Sequence, residues 1–148
     1  MNQKNKYSTN ACEVSGVSVH HLPLIQDNRG ELTFGEFATH IPFTPKRYFV
    51  VYNVPDSVTR GQHAHKLCDQ FLICLSGAVS VTVDDGRKKE DIILDKNYKG
   101  LFIPSGIWAT QRQYTESASL LVFTSELYDP TDYIDSYSDF IEFRKNLI

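Results

Sequence analysis

Short apolar stretches broken by turn residues run through most of this chain, and few architectures accept that rhythm. The clearest stretch is Ala78-Val79-Ser80-Val81-Thr82-Val83-Asp84, where valines alternate with small polar residues up to the turn signal Asp85-Gly86. A period of two sends alternate side chains to opposite faces, so this segment reads as a half-buried strand running into a hairpin. Further strands are expected at 17–22, 31–37, 47–54, 70–75, 91–94, 100–103 and 119–124, each bounded by Gly, Pro, Asp or Asn. Many short antiparallel strands at this spacing imply an all-β sandwich or barrel. Only the end departs: Tyr137, Phe140, Ile141 and Arg144 fall at helical spacing after Asp135-Ser136, which predicts a short capped C-terminal helix. Residues 1–13 are polar and without periodicity and are expected to form a flexible arm, leaving 14–148 as a single domain.

Size and charge narrow the function classes. At 148 residues and 41% hydrophobic content the chain can bury one core. A net charge of -3 offers no basic footprint for a phosphate backbone, so nucleic acid is not an expected partner. No run approaches the roughly 18 to 20 apolar residues that cross a bilayer, and the first residues lack the apolar core of a secretory signal. The expectation is a cytoplasmic protein with no membrane partner. Cys12, Cys68 and Cys74 are odd in number and lack CxxC spacing, which indicates reduced thiols rather than a disulfide framework or a zinc clip.

The segment most able to carry chemistry is Arg60-Gly61-Gln62-His63-Ala64-His65-Lys66. In extended backbone, residues two apart project to one side, so His63 and His65 present both imidazoles to one space. Such a pair suits either proton transfer or metal binding, because neutral imidazole is both a base near pH 7 and a ligand. Arg60, Lys66 and Arg47 lie close by in sequence and supply the cationic groups that an anionic ligand such as a diphosphate requires.

Residues 61–77, beginning Gly61-Gln62-His63-Ala64-His65, resemble the first cupin motif, and Gly100-Leu101-Phe102-Ile103-Pro104-Ser105-Gly106-Ile107-Trp108-Ala109 resembles the second. That resemblance implies the double-stranded β-helix, or jelly-roll, barrel. In metal-binding cupins the ligands are the two histidines, an acid four or five positions later, and a histidine in the second motif. At those places this chain has Asp69 or Gln70, and Ala109, so no metal is expected.

From residue 27 to 145 the chain is similar to the dTDP-sugar 3,4-ketoisomerases, which are metal-free cupins related to the WxcM-like sugar-modifying proteins. The matching pieces are Asp27-Asn28-Arg29-Gly30, Ile41-Pro42-Phe43 with Lys46-Arg47, Arg60 to Lys66, Asp84-Asp85-Gly86, and Tyr128-Asp129-Pro130-Thr131-Asp132-Tyr133-Ile134. The resemblance implies conversion of dTDP-4-keto-6-deoxyglucose to a 3-keto isomer, a step towards amino sugars of O-antigen or S-layer polysaccharides. It needs no cofactor and implies a homodimer in which strands could be exchanged. Arg29-Gly30 looks more like the branch that yields the galacto product.

Carried over residue by residue, the essential histidines are His63 and His65. Moving a carbonyl from C4 to C3 requires loss of the C3 proton, an enediol, and return of a proton at C4. The expected base is His65, with His63 serving the C3 and C4 oxygens. Arg29, Arg47, Arg60 and Lys66 are the expected diphosphate or oxyanion contacts. Phe49 and Val50 stand where relatives often carry tyrosine, which leaves Tyr48 and Tyr52; Tyr52 is taken as a substrate contact, and Trp108 as closing the sugar end of the mouth. The 128–134 segment is expected to cover the barrel without chemistry. A sugar 3,5-epimerase and a non-catalytic sugar-nucleotide-binding cupin are the rival readings, with a metal-dependent oxygenase third.

Overall fold

The computed structural model describes residues 2–147 and contains three antiparallel sheets. Strands β2 (Ser8–Ala11), β3 (Ser18–His21), β11 (Lys99–Ile103), β8 (Gln70–Ser76), β13 (Ser119–Thr124) and β6 (Arg47–Tyr52) form one sheet in that spatial order. Strands β10 (Lys89–Leu94), β9 (Val79–Asp84), β12 (Trp108–Arg112), β7 (Arg60–His65) and β14 (Tyr133–Ile134) form the second. A smaller sheet joins β1 (Asn2–Asn5), β4 (Leu24–Asp27) and β5 (Gly30–Thr33). The two large sheets enclose the main core as a jelly roll, and the all-β cupin architecture with one C-terminal helix is the observed one.

Alternation decides which residues meet between the sheets. Val79, Val81 and Val83 of β9 are essentially fully buried against Leu72, Leu101, Leu120 and Val122 of the facing sheet. Strand β8 is buried on both sides for five residues, because Phe71 and Ile73 point the other way, into a second cluster with Leu22 and Ile41. The Phe71 ring lies over β11 at Gly100, where an added Cβ would meet ring atoms at 2.2 Å. That close approach is what the glycine permits.

The helix α1 (Tyr137–Lys145) begins as expected, with the Ser136 hydroxyl accepting from Asp139 N. It packs Phe140 against Ala64 and Ile134, on the outside of the five-stranded sheet. The Tyr137 hydroxyl donates to Asp84 at 2.7 Å, and the Arg144 guanidinium reaches the Asp85 and Gly106 carbonyls. None of the described helices is long and apolar enough to cross a membrane.

Two boundaries differ from expectation. The stretch 1–13 was expected to be a flexible arm, yet β1 pairs with β4 and β2 pairs with β3 within it; position 1 lies outside the described residues. Strand β2 is an exposed edge held by backbone hydrogen bonds, so it needs no apolar alternation to form. The Tyr7 hydroxyl also lies 2.9 Å from Nδ1 of buried His20. The strand expected at 31–37 is a hairpin of β4 and β5, turned by Asp27-Asn28-Arg29-Gly30, with Gly30 at φ +128°.

Gly100→Ala is expected to lower the urea midpoint by the equivalent of about 1–3 kcal/mol, with an unchanged m-value. A Phe71→Leu background is expected to absorb part of that cost; equal costs in both backgrounds would show that the ring is not the obstacle.

Candidate functional site

A kink in β7 builds the site. Gly61 and Gln62 both adopt positive φ, at 79° and 60°. Opposite them the register with β12 slips, so that His63 faces Ala109 and Gly61 faces Thr110 while Gln62 is left unpaired. This is a β-bulge, and it re-aims the residues that follow it. A Cβ at Gly61 would stand 2.8 Å from the Ala109 carbonyl oxygen, so only glycine lets the strands approach this closely.

Beside the bulge, a cavity of about 480 Å³ opens at one end of the core. Arg47, Phe49 and Val51 reach it from β6, Arg60, Gly61 and His63 from β7, and Gln70 and Gln111 from β8 and β12. Tyr128, Pro130, Tyr133 and Asp135 cover it from the C-terminal side. The guanidinium of Arg47 sits over both Phe49 and Tyr128, 5.5 and 5.7 Å from the ring centres.

The two imidazoles are brought together but differ in access. Their rings lie 5.0 Å apart, nearly perpendicular, and Tyr133 packs against both at 5.0 Å and 4.5 Å. His63 lines the cavity, with Nδ1 at 3.1 Å from the Gly61 carbonyl oxygen. A carbonyl only accepts, so the proton of neutral His63 is on Nδ1 and the lone pair is on Nε2. His65 lies deeper, 5% exposed, and its Nδ1 is 2.9 Å from Asp132 Oδ2. The other Asp132 oxygen accepts from Leu67 N, and the Asp132 backbone carbonyl accepts from Lys66 N, so the residue is held at both carboxylate oxygens and at its main chain. Nε2 of His65 is buried and has no hydrogen-bond partner among the described residues.

Burial holds both histidines below their ordinary pKa of 6.5. The Gly61 carbonyl and Asp135 oppose that effect at His63; Asp132 opposes it at His65, where the His63 and Arg47 charges reinforce it. The close carboxylate alone would favour an imidazolium at His65, but desolvation outweighs it. Both rings are therefore neutral near pH 7, and each keeps an unprotonated Nε2. Tyr133 is pushed above the usual phenol value by burial, against the pull of Arg47, and keeps its proton.

The other residues singled out in the sequence scatter. Arg47 and Arg60 line the cavity with His63. Lys66 lies in a separate groove with Asp135, Asp139 and Glu142. Arg29 sits at the β4–β5 turn with its side chain 76% exposed, paired to Asp27 at 2.7 Å and outside this cavity. Tyr52 is 63% exposed on the outer face of β6, because the alternation that sends Arg47, Phe49 and Val51 inward sends Tyr48, Val50 and Tyr52 outward. Trp108 likewise points to the outer face of β12, where it packs against Tyr137 and Phe140, while Ala109 and Gln111 face inward. Trp108 and Tyr52 thus do not close the mouth of this cavity.

The cupin metal set does not fit these residues. Asp69 is turned away, its carboxylate accepting from Ser105 N, Gln70 is the residue facing the cavity, and Ala109 has no donor. Asp132, Tyr133, Asp135 and Gln111 are the site residues that the sequence did not single out, and Gln70, named only at a metal-ligand position, lines the cavity. Acids interleaved with tyrosines in 128–135 were the available signal for the first three, and period-two alternation from Ala109 was the signal for Gln111.

Residues 15–145 match the family model described as FdtA: WxcM-like, C-terminal. Over 116 residues, 78% of this chain and 84% of the relative, the chain is 36% identical to a TDP-4-oxo-6-deoxy-alpha-D-glucose-3,4-oxoisomerase of Aneurinibacillus thermoaerophilus. The crystal structure of QdtA, a sugar 3,4-ketoisomerase from Thermoanaerobacterium thermosaccharolyticum in complex with TDP, superposes with a TM-score of 0.87 and 36% identity, covering 90% of this chain and 98% of that one. A 3,4-ketoisomerase from Helicobacter canadensis superposes at 0.84 with 34% identity, covering 88% and 98%.

Nitrogen NMR is expected to find both His63 and His65 as Nδ1–H tautomers at neutral pH, with titration midpoints below 6.5. In Asp132→Asn the His65 midpoint should fall further, since an opposing carboxylate is removed. Because the folded values lie below the unfolded value, the pair's stability is full above about pH 6.5. It declines as the pH falls through that value towards the folded midpoints. A His65 midpoint that rises in Asp132→Asn would contradict this balance.

Proposed function

Since the chain belongs to the FdtA, WxcM-like family, whose characterised members named above are 3,4-ketoisomerases, we propose that it is an isomerase that moves the carbonyl of TDP-4-keto-6-deoxyglucose from C4 to C3. The observation that carries the reading is the neutral His63 imidazole lining a cavity flanked by Arg47 and Arg60, with a second neutral imidazole behind it.

The 4-keto group acidifies the C3 proton, so a neutral imidazole is a sufficient base. Its cavity position and bare Nε2 support giving the C3 proton to His63, rather than to His65 as the sequence alone suggested. The C3–H electrons form the C3=C4 double bond, and O4 carries the enediolate charge. Transfer of the O3 proton towards O4, and return of a proton to C4, leaves the carbonyl at C3. One proton is taken from C3 and one is returned at C4, so the sugar gains and loses no electrons and the balance requires no external electron carrier.

Arg47 and Arg60 are the groups for the developing oxyanion or the diphosphate, because cations in a partly desolvated cavity interact more strongly than in water. Tyr133, protonated and against both imidazoles, can donate to a sugar oxygen. The His65–Asp132 pair fixes the His65 tautomer and leaves its lone pair on Nε2, behind His63.

Arg29 lies outside the cavity of its own chain, so a role on substrate requires it to come from a second copy. A homodimer is supported by the exposed apolar face of Tyr48, Val50 and Tyr52 on β6, with Phe37 and Leu32 also exposed. With Arg29 engaged, the galacto product is the assignment. A nucleotide-sugar substrate agrees with a cytoplasmic location.

Metal-stripped protein incubated with TDP-4-keto-6-deoxyglucose is expected to move the carbonyl to C3, followed by NMR, with deuterium from solvent appearing at C4. His63→Asn is expected to lower kcat by about 10²- to 10⁴-fold. Exchange at C5 without carbonyl migration would instead identify a 3,5-epimerase, and binding without turnover a sugar-nucleotide-binding protein. Sedimentation is expected to give a dimer that Val50→Glu dissociates; a wild-type monomer would remove the second-copy role of Arg29.

A further inference from the structure

We propose that His65, Cys68 and Asp132 form a site for a thiophilic divalent cation of the Zn²⁺ class, whose occupation disables the histidine pair. Each residue offers one ligand atom, and the three atoms lie within 4.8 Å of one another. This set leaves out His63, Asp69 and Gln70, so it is a different site from the one cupin metals use.

The donor chemistry selects the ion. One thiol, one imidazole and one carboxylate form a soft-to-borderline set that suits zinc and cadmium and is poor for magnesium or calcium. Tetrahedral zinc, with bonds of about 2.0 to 2.3 Å, sets its ligand atoms roughly 3.3 to 3.8 Å apart. His65 Nδ1 and Asp132 Oδ2, now 2.9 Å apart, must open by a few tenths of an ångström, and the sulfur must close in. The thiol's hydrogen bond to the Asp69 carbonyl, at 3.4 Å, is a weak one to give up.

The frame is already rigid. Asp132 is anchored by the Leu67 and Lys66 amides, and Cys68 is buried on the same turn that follows β7. A groove of about 370 Å³ lined by Asp129, Asp132 and the Lys46–Glu126 ion pair reaches this carboxylate, and its two remaining acids give a cation a way in. On binding, the thiol proton leaves to solvent, the His65 proton is exchanged from Nδ1 to Nε2 so that the imidazole stays neutral, and the ion takes the thiolate and the freed Nδ1 lone pair. The hydrogen bond from His65 to Asp132 is then gone, and the imidazole is locked to a positive charge and can no longer accept a proton as a free base.

Binding is independent of the ketoisomerase reading; the loss of turnover rests on it. Full-length protein, without substrate, is titrated with Cd²⁺ and the ultraviolet thiolate-to-cadmium band is followed. The expected result is a band saturating at one equivalent, displaced by Zn²⁺, retained in Cys12→Ser and lost in Cys68→Ser. Asp132→Asn is expected to weaken binding by about tenfold or more, with thermal unfolding showing that each variant is folded. No band, or a band indifferent to Cys68→Ser, overturns the site. Each protein's turnover with Zn²⁺ is then compared with its own metal-free turnover. A fall of about 10²-fold or more in the wild type, reversed by chelator and absent in Cys68→Ser, is expected, whereas full turnover at a saturated site overturns the disabling effect. A metal-free protein without turnover would sink the ketoisomerase reading while the cadmium band still decides the site.

Discussion

The end of the core that carries the histidines depends on the Asp132 carboxylate. It accepts hydrogen bonds from His65 Nδ1–H and from the amide of Leu67, while its own backbone carbonyl accepts from the amide of Lys66. Three bonds to one turn dock the C-terminal segment onto the end of β7. From that docking follow the pairing of Tyr133 and Ile134 with His65 and Ala64, the seat of Phe140 on Ala64, and the placement of Tyr133 over the cavity. A buried carboxylate is costly unless its lone pairs are filled, and here the fold fills them with groups that the site itself must orient.

Burial is also the source of the chemistry. Taking imidazole out of water disfavours its cation, and the hydrogen bonds at Nδ1 choose which nitrogen keeps the lone pair. His63 is turned to a backbone carbonyl and His65 to a carboxylate, so the two rings share a tautomer but have different neighbours. The bulge at Gly61 and Gln62 lets both point towards one end of the core. The arrangement is a neutral acid–base pair behind a cationic rim of Arg47 and Arg60, which suits an anionic substrate with an acidified carbon–hydrogen bond.

The strands that pattern reveals are those with one wet face and one dry face. Val79, Val81 and Val83 announce themselves, and the same alternation on β6 puts Arg47, Phe49 and Val51 on the cavity side. Applied consistently, that parity also puts Tyr52 outside, since it is an odd number of residues from those three. Trp108 and Ala109 obey the same rule on β12, and the aromatic residue takes the outer face beside the helix. Strand β2 was illegible because an exposed edge strand of Ser, Thr, Asn and Ala carries no period to read.

The all-β architecture, the capped C-terminal helix and the pairing of His63 with His65 are legible along the chain, because these follow from local periodicity and from residues two apart. The family is legible as well, through ordered motifs spread over most of the chain. Which histidine lines the cavity, that Asp132 lies behind the other, and that Arg29, Lys66, Tyr52 and Trp108 lie elsewhere are set by the folded arrangement alone. The physical reason is that burial and hydrogen-bond partnership come from segments 60 or more residues apart in the chain, brought together by sheet pairing that no local pattern encodes.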